Sequence, residues 1–412
     1  MKNPSIEPVH EDLSAPQAPA HWSGVWAMTL CVFALIASEF MPVSLLTPIA
    51  TELGVSEGLA GYGIAISGTF AVLTSLSISW IAGAMNRKTL LLLLTALMCV
   101  SGLVVALASN YIMYMVGRAL IGVVIGGFWS MSAAVAMRLV PAENVPRALA
   151  IFNSGNALAT IVAAPLGSYL GGIIGWRGAF FCLVPVGLIA LIWQWISLPA
   201  MQAAPRARGS ANVFTLLGNP LVALGMLAVG LFFMGQFELF TYIRPFLETV
   251  PRVDVPTLST MLLALGIAGF IGTLLIGSFI KQGLYRTLIV IPLLMAGLGI
   301  GLVAFGNSVA MVFVLLALWG LVATAAPVGW WSWLAQSVPF DAEAGGGLMV
   351  AVIQLSIALG STLGGVLFDT QGYQTTFVAA AIVLIASAAL TLATARINAS
   401  RNPLRDQIPD CP

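Results

Sequence analysis

The chain has 412 residues, 59% of them hydrophobic and only 8% charged, with a mean hydropathy of +1.01. A water-soluble protein carries about 25% charged residues, so this composition excludes a water-facing globular fold and points to lipid. Sixteen basic residues set against 15 acidic ones leave a net charge of +1, too little to build a nucleic-acid groove.

Residues 1–21 are rich in Pro, Glu, Asp and Ala and lack an apolar run. They read as a disordered cytoplasmic tail rather than a signal peptide. Both histidines, His10 and His21, lie there, and Cys31, Cys99, Cys182 and Cys411 show no metal-ligand spacing. No metal or cofactor is expected.

A bilayer core about 30 Å thick needs roughly 20 apolar residues of helix. Breaks at charges, Gly/Pro clusters and Asn give six spans near 23–50, 58–84, 89–109, 112–138, 147–174 and 179–198. Six more follow near 220–243, 257–280, 287–306, 308–336, 345–368 and 373–395. The polar, basic segment 199–219 is the longest break and reads as a cytoplasmic central loop. It divides an N-terminal six-helix bundle, 22–198, from a C-terminal one, 220–396, and residues 397–412 form a second tail. The expected fold class is all-α: a polytopic membrane protein with 12 transmembrane helices in two six-helix halves.

Basic residues in loops mark the cytoplasmic side. With both termini inside, that side collects 12 of the 16 Lys and Arg, and the opposite side holds Arg177, Arg244 and Arg252. The halves also look repeated. Leu170-Gly171-Gly172 leads to Gly175-Trp176 and Phe180, and Leu363-Gly364-Gly365 leads to Gly372-Tyr373 and Phe377. Transporters commonly place their site at mid-membrane between such repeats.

An ionisable side chain inside a span is costly and tends to face inward and act. Three stand out: Glu39, Arg118 and Glu238. Glu39 lies mid-span, with Pro42 and Pro48 following it, so the helix should bend there. Burial disfavours the charged form of a carboxyl, which suits Glu39 to bind and release a proton. The plainer alternative is a buried structural carboxyl.

Arg118 stays charged and cannot carry the proton. It serves as a partner to a carboxyl or carbonyl, or as a snorkelling anchor. Gly122 and Gly126 follow it at i+4 and i+8, a small-residue seam for a neighbouring helix. Glu238 lies nearer its span's outer end, with Tyr242 one turn on and Gln236 more interior.

Other candidates for a solute cavity are Trp129, Asn153, Asn156, Trp330 and Gln354. Of the cluster Trp330, Trp331 and Trp333, packing is the expected role for two, since adjacent residues cannot share a helix face. Amides and aromatics together suit a flat, neutral, hydrogen-bonding solute.

These motifs resemble the major facilitator superfamily, in its drug:proton antiporter branch. Arg118-Ala-Leu-Ile-Gly122 is similar to the R-x-x-x-G motif linked there to proton coupling. Ala164-Pro165-Leu166-Gly167 with Gly171-Gly172 is similar to the bent antiporter motif. The loop after span 2 departs from the pattern: the family's acidic position is Gly83, and only the basic pair Arg87-Lys88 survives. Within the branch, the stretches Glu39–Pro48, Gly126–Ser132, Met137–Pro141, Gly235–Phe237, Thr241–Pro245, Pro327–Trp330 and Val352–Leu355 closely resemble the bacterial purine ribonucleoside efflux pumps.

The resemblance implies export of inosine and guanosine by proton antiport, through alternating access, from a bacterial inner membrane. Glu39 and Arg118 would couple the proton. A monomer is expected. The alternative keeps the fold and moves a drug, sugar or amino-acid derivative. An embedded enzyme is disfavoured, because no nucleophile, base or metal constellation lies in the spans.

Overall fold

The computed structural model describes residues 20–83, 85–132, 135, 138–141, 144–202, 213–338 and 342–401. The expected tails fall largely outside these residues, as do 203–212 of the central loop. Helix α1 (Trp22–Ser44) and α2 (Leu46–Leu53) make the first crossing, interrupted at Leu45. Capping side chains start the next three. Ser56 accepts from Leu59 N–H for α3 (Glu57–Ala82), Asn86 from Lys88 for α4 (Arg87–Ala106), and Asn110 from Met113 for α5 (Tyr111–Trp129).

Helix α6 (Val145–Ser197) has 53 residues. At 1.5 Å per residue it would reach about 80 Å, far beyond one bilayer core. Gly175 resolves this with a φ of 75° inside the run, which turns the chain back as a second crossing. In the other half come α7 (Pro220–Phe240), α8 (Ile243–Thr249) and α9 (Val255–Gln282), the last capped by Asp254. Then follow α10 (Leu284–Phe305), α11 (Val309–Ala323), α12 (Ala326–Ser337), α13 (Ala342–Gln371) and α14 (Tyr373–Arg401).

Among the described residues, eleven helical stretches are long and apolar enough to cross a membrane. Breaking α6 at Gly175 gives the twelfth. Two differences from the sequence reading stand out. The span expected at 308–336 is divided between α11 and α12, where Pro327 cannot donate to the Ala323 carbonyl. Helix α14 runs past 396 to Arg401.

Twelve crossings bring the start of α1 and the end of α14 to one end of the bundle, the termini end; the Gly175 turn marks the other. Large apolar side chains such as Ile112, Ile196 and Leu274 stay exposed. So much exposed hydrocarbon fits a lipid-facing surface. The two halves meet along two seams, α3 against α13 and α6 against α9. Exchanging the halves turns one seam into the other, as duplication requires. The repeat extends to the backbone, since Gly372 has a φ of 82° where Gly175 has 75°.

Candidate functional site

The site starts from a missing hydrogen-bond donor. Pro42 has no N–H, so the Ser38 carbonyl one turn earlier has no helical i+4 partner. Arg118 supplies one: its Nη1 donates to Ser38 O at 2.7 Å. The same guanidinium donates through Nη2 to the Glu39 carbonyl at 3.1 Å and the Ser67 hydroxyl at 3.2 Å, and through Nε to the Gly63 carbonyl at 3.0 Å. Arg118 is buried, and it ties α5 to α1 and α3 through backbone oxygens rather than through the Glu39 carboxylate.

Gly122 and Gly126 make this reach possible. A Cβ at either would collide with the α3 backbone, at Ser67 and at Ala71 respectively. The small-residue seam read in the sequence is therefore the α3–α5 contact.

Glu39 lies at mid-depth and is 4% exposed. Gln354 of α13, 7% exposed, donates from Nε2 to Glu39 Oε1 at 3.2 Å. This bond joins the two halves at their centre. Beside it, Phe40 stacks on Phe237 across the same divide, with ring centroids 5.8 Å apart. The α3 and α13 backbones meet at this level, where a Cβ on Gly68 would lie 2.8 Å from the Gln354 carbonyl oxygen.

Towards the Gly175 end the halves are latched. Asp369, near the end of α13, accepts from the Ser56 hydroxyl and from Gly58 N–H, the latter at 3.0 Å. It thereby caps the N-terminus of α3 from the opposite half. Arg244 of α8 donates to the Ser44 carbonyl of α1 and pairs with Glu248. Ser44 stands four residues before Pro48, so this carbonyl too lacks its helical donor. Tyr242 is fully buried, donates to the Ser361 carbonyl at 2.7 Å and lies against Gly61 of α3.

The antiporter-like segment of α6 meets both halves. Gly167 lies against Met41 and Ser44, Gly171 against Leu45 at the α1 break, and Gly172 against Val255 of α9. Pro165 leaves the Ile161 carbonyl without its helical donor. The Ile161 backbone lies against Gly266 of α9, where a Cβ would come within 2.9 Å of that oxygen.

The remaining candidates separate. Asn153 is exposed and Asn156 half-buried; with Thr160 they share one face of α6 by i, i+3, i+4 spacing. That face is distinct from the one Gly155 presses onto Thr29 of α1. Gln236 is half-buried, and its Oε1 has no hydrogen-bond partner among the described residues. Trp129 is half-buried, edge-on to Phe128 and Phe152.

Trp330 and Trp333 are buried edge-to-face against each other, while Trp331 is exposed. Glu238, read from the sequence as a rim or cavity residue, is fully buried. Its backbone carbonyl lies against Gly364 of α13, and neither carboxyl oxygen has a hydrogen-bond partner among the described residues. The sequence reading did not single out Ser38, Ser67 or Asp369. The positions of Pro42 and Pro48 were the available signal for the freed carbonyls.

Residues 28–346 match the Major Facilitator Superfamily. The chain is 65% identical over 387 residues to a Pseudomonas aeruginosa protein named transcription regulatory protein OpdE, covering 93% of this chain and 96% of that one. It is 39% identical over 380 residues to the purine ribonucleoside efflux pump NepI of Salmonella enteritidis, covering 92% and 96%. Its fold is similar to the crystal structure of a mutant of the nucleoside transporter NupG, with a TM-score of 0.74 at 11% identity over 91% of this chain and 98% of that one. A bacterial homolog of the human lysosomal transporter Spinster, in an inward-facing and unoccupied conformation, gives 0.68 at 17% identity over 95% and 99%.

Proposed function

The chain belongs to the Major Facilitator Superfamily, and we propose that it exports purine ribonucleosides such as inosine and guanosine from the cytoplasm in exchange for protons. The observation that carries this reading is the Glu39–Gln354 hydrogen bond, a buried carboxyl at mid-depth tied to the opposite half. Similarity to NepI supports the choice of cargo. The positive-inside bias supports both termini in the cytoplasm, which makes the latched Gly175 end the outer one.

Each element has a role in this reading. Glu39 takes up a proton when the site faces outward and gives it up when the site faces inward. Arg118 fixes the bent α1 backbone on which Glu39 sits. Asn153, Asn156, Gln236, Gln354 and the flanking aromatics offer amide and flat surfaces to a nucleoside between the halves. A ligand shifts the equilibrium between two states only by its differential affinity for them. Proton and nucleoside must therefore favour different states or compete within one.

The regulatory name carried by the OpdE relative fits this reading as well. A membrane-embedded chain with a net charge of +1 carries too little basic charge for a nucleic-acid groove, so a regulatory effect of such a carrier would act through the solute it moves rather than through contact with DNA.

The test is uptake of labelled inosine into inverted membrane vesicles with and without a pH gradient. Gradient-dependent uptake is expected, with Glu39→Gln abolishing it at unchanged expression. Uptake of a drug, sugar or amino-acid derivative in place of inosine would transfer the mechanism to another cargo. Full gradient-driven uptake by Glu39→Gln would remove Glu39 as the proton carrier.

A further inference from the structure

Gln354 uses half of its amide. Nε2 donates to Glu39 Oε1 at 3.2 Å, while Oε1 of Gln354 is buried and has no hydrogen-bond partner among the described residues. Glu39 Oε2 likewise accepts no hydrogen bond there. An amide offers a donor and an acceptor side by side, and a buried acceptor without a donor is costly. The vacant atom thus has a strong tendency to take a donor. From the nucleoside–proton exchange proposed above, we infer that Gln354 Oε1 is the single atom for which solute and proton compete.

The chemistry follows from the two forms of Glu39. Ionised, Glu39 is an acceptor only. It holds Gln354 Nε2–H and leaves Oε1 facing a solute. Hypoxanthine and guanine each present a ring N1–H beside the O6 carbonyl, and that N–H is the donor Oε1 accepts. When Glu39 takes a proton from water, its new O–H becomes a donor directed at the neighbouring amide. The acid and the amide then close a cyclic pair, O–H to Oε1 and Nε2–H to the other carboxyl oxygen. The acid O–H takes the Oε1 lone pair on the Glu39 side and draws the amide into the acid; the nucleoside, which needs that same lone pair, leaves. The reverse exchange loads nucleoside and expels the proton.

The surroundings favour this local competition. The charged group nearest Glu39 is Arg118 of α5, which donates to the Ser38, Glu39 and Gly63 carbonyls and the Ser67 hydroxyl. Arg244 of α8 engages Ser44 farther along α1. From α6, Arg147 lies over Trp22 near the termini end, and Tyr169 is exposed. Helix α4 meets α1 at Cys31 through Thr95. Helix α3 brings Tyr62, half-buried two turns beyond the mid-depth contact. Glu238 of α7 is buried without a partner for its carboxyl oxygens among the described residues.

The experiment uses the full-length protein in detergent micelles. Adding inosine to weakly buffered wild-type protein should release protons, read by a pH dye. 1-Methylinosine, which lacks the N1 donor, should be about tenfold weaker, the worth of one hydrogen bond. Gln354→Leu should abolish inosine-driven release. Independently of any solute, the infrared carbonyl band of protonated Glu39, assigned by its loss in Glu39→Gln, should move to higher frequency in Gln354→Leu.

An unmoved band overturns the inference whatever the cargo, as does equal potency of the two nucleosides or retained release in Gln354→Leu. If Gln354→Leu fails to fold, the wild-type comparison of the two nucleosides decides. A wild-type protein that releases no protons with any nucleoside contradicts the nucleoside reading instead, and the band then decides the acid–amide pair alone.

Discussion

Arg118 donates to the carbonyl oxygen of Ser38, four residues before the proline that deprived that oxygen of its helical donor. The same arrangement recurs one bend later, where Arg244 takes the carbonyl of Ser44 ahead of Pro48. Two arginines from different halves thus read the two proline-made defects of the first crossing. The first ties α1 to its own bundle, and the second ties it across the divide. Helix α1 is accordingly held by its backbone at the level of Glu39.

Arg118→Lys tests this directly. Lysine keeps the charge but lacks the planar fork that serves several oxygens at once. At least the Ser38 carbonyl is left without a donor, at about 1–3 kcal/mol. The expected result is a lowered thermal midpoint in detergent together with loss of transport. Pro42→Ala restores a backbone N–H to Ser38 and should keep or raise the midpoint while reducing transport. A Pro42→Ala variant with wild-type flux would show that the freed carbonyl has no part in function.

Asp369 is the carboxylate that closes the Gly175 end, since it caps the first turn of α3 from α13. A negative charge at a helix N-terminus is worth about 0.3–1 kcal/mol. Removing it in Asp369→Asn should shift the balance towards opening of that end by up to about fivefold. Alkylation of a cysteine placed at Ser361, behind the latch, should accelerate accordingly in membranes. An unchanged rate would mean that apolar packing alone holds the closure. At the other end the loop motif has Gly83 where the family carries an acid.

Gly126 has no room for a side chain, because its Cβ would strike the carbonyl of Ala71 in α3. Gly126→Val should therefore force α3 and α5 apart. Overpacking of this kind costs about 1–3 kcal/mol, and the displaced α3 would carry Gly63 and Ser67 away from Arg118. Reduced thermal stability and reduced transport should appear together. Gly297, whose Cβ would meet nothing within 4 Å, is the control, and Gly297→Ala should be neutral.

Much of this architecture is legible in the residues. Composition dictates lipid as the solvent, apolar run lengths give the crossings, and Gly122 and Gly126 announce a close helix contact. The prolines of the first span announce a bend, but not what satisfies the carbonyls they free. The donors sit some 80 and 200 residues away in sequence, and no local pattern encodes that pairing. Asp369 lies one residue beyond the span expected at 345–368, where an acid reads as an interface residue.

Glu238 reads as a rim group for a similar reason. Its burial depends on Gly360 and Gly364, which let the α13 backbone press against Met234 and Glu238 of α7. That pair of glycines one turn apart was the signal for a second close seam. The partnership of Glu39 with Gln354 lies furthest from the sequence, since it joins groups 315 residues apart through the docking of two bundles.

Gly175 and Gly372 provide a test of the duplication itself. Both hold a positive φ, 75° and 82°, at the turn between the fifth and sixth crossings of their respective halves. A Cβ at either would meet nothing within 4 Å. Substitution therefore adds backbone strain without collision, about 1–3 kcal/mol in sparsely populated φ/ψ space. Gly175→Ala and Gly372→Ala should each lower the thermal midpoint by a similar step. Since the two sites share no partner, the double variant should show the sum. Transport at permissive temperature should persist in all three, because neither turn touches Glu39, Gln354 or Arg118. A large loss in one half with none in the other would mean that the two turns, alike in shape, carry different loads, and that the repeat has diverged at the backbone.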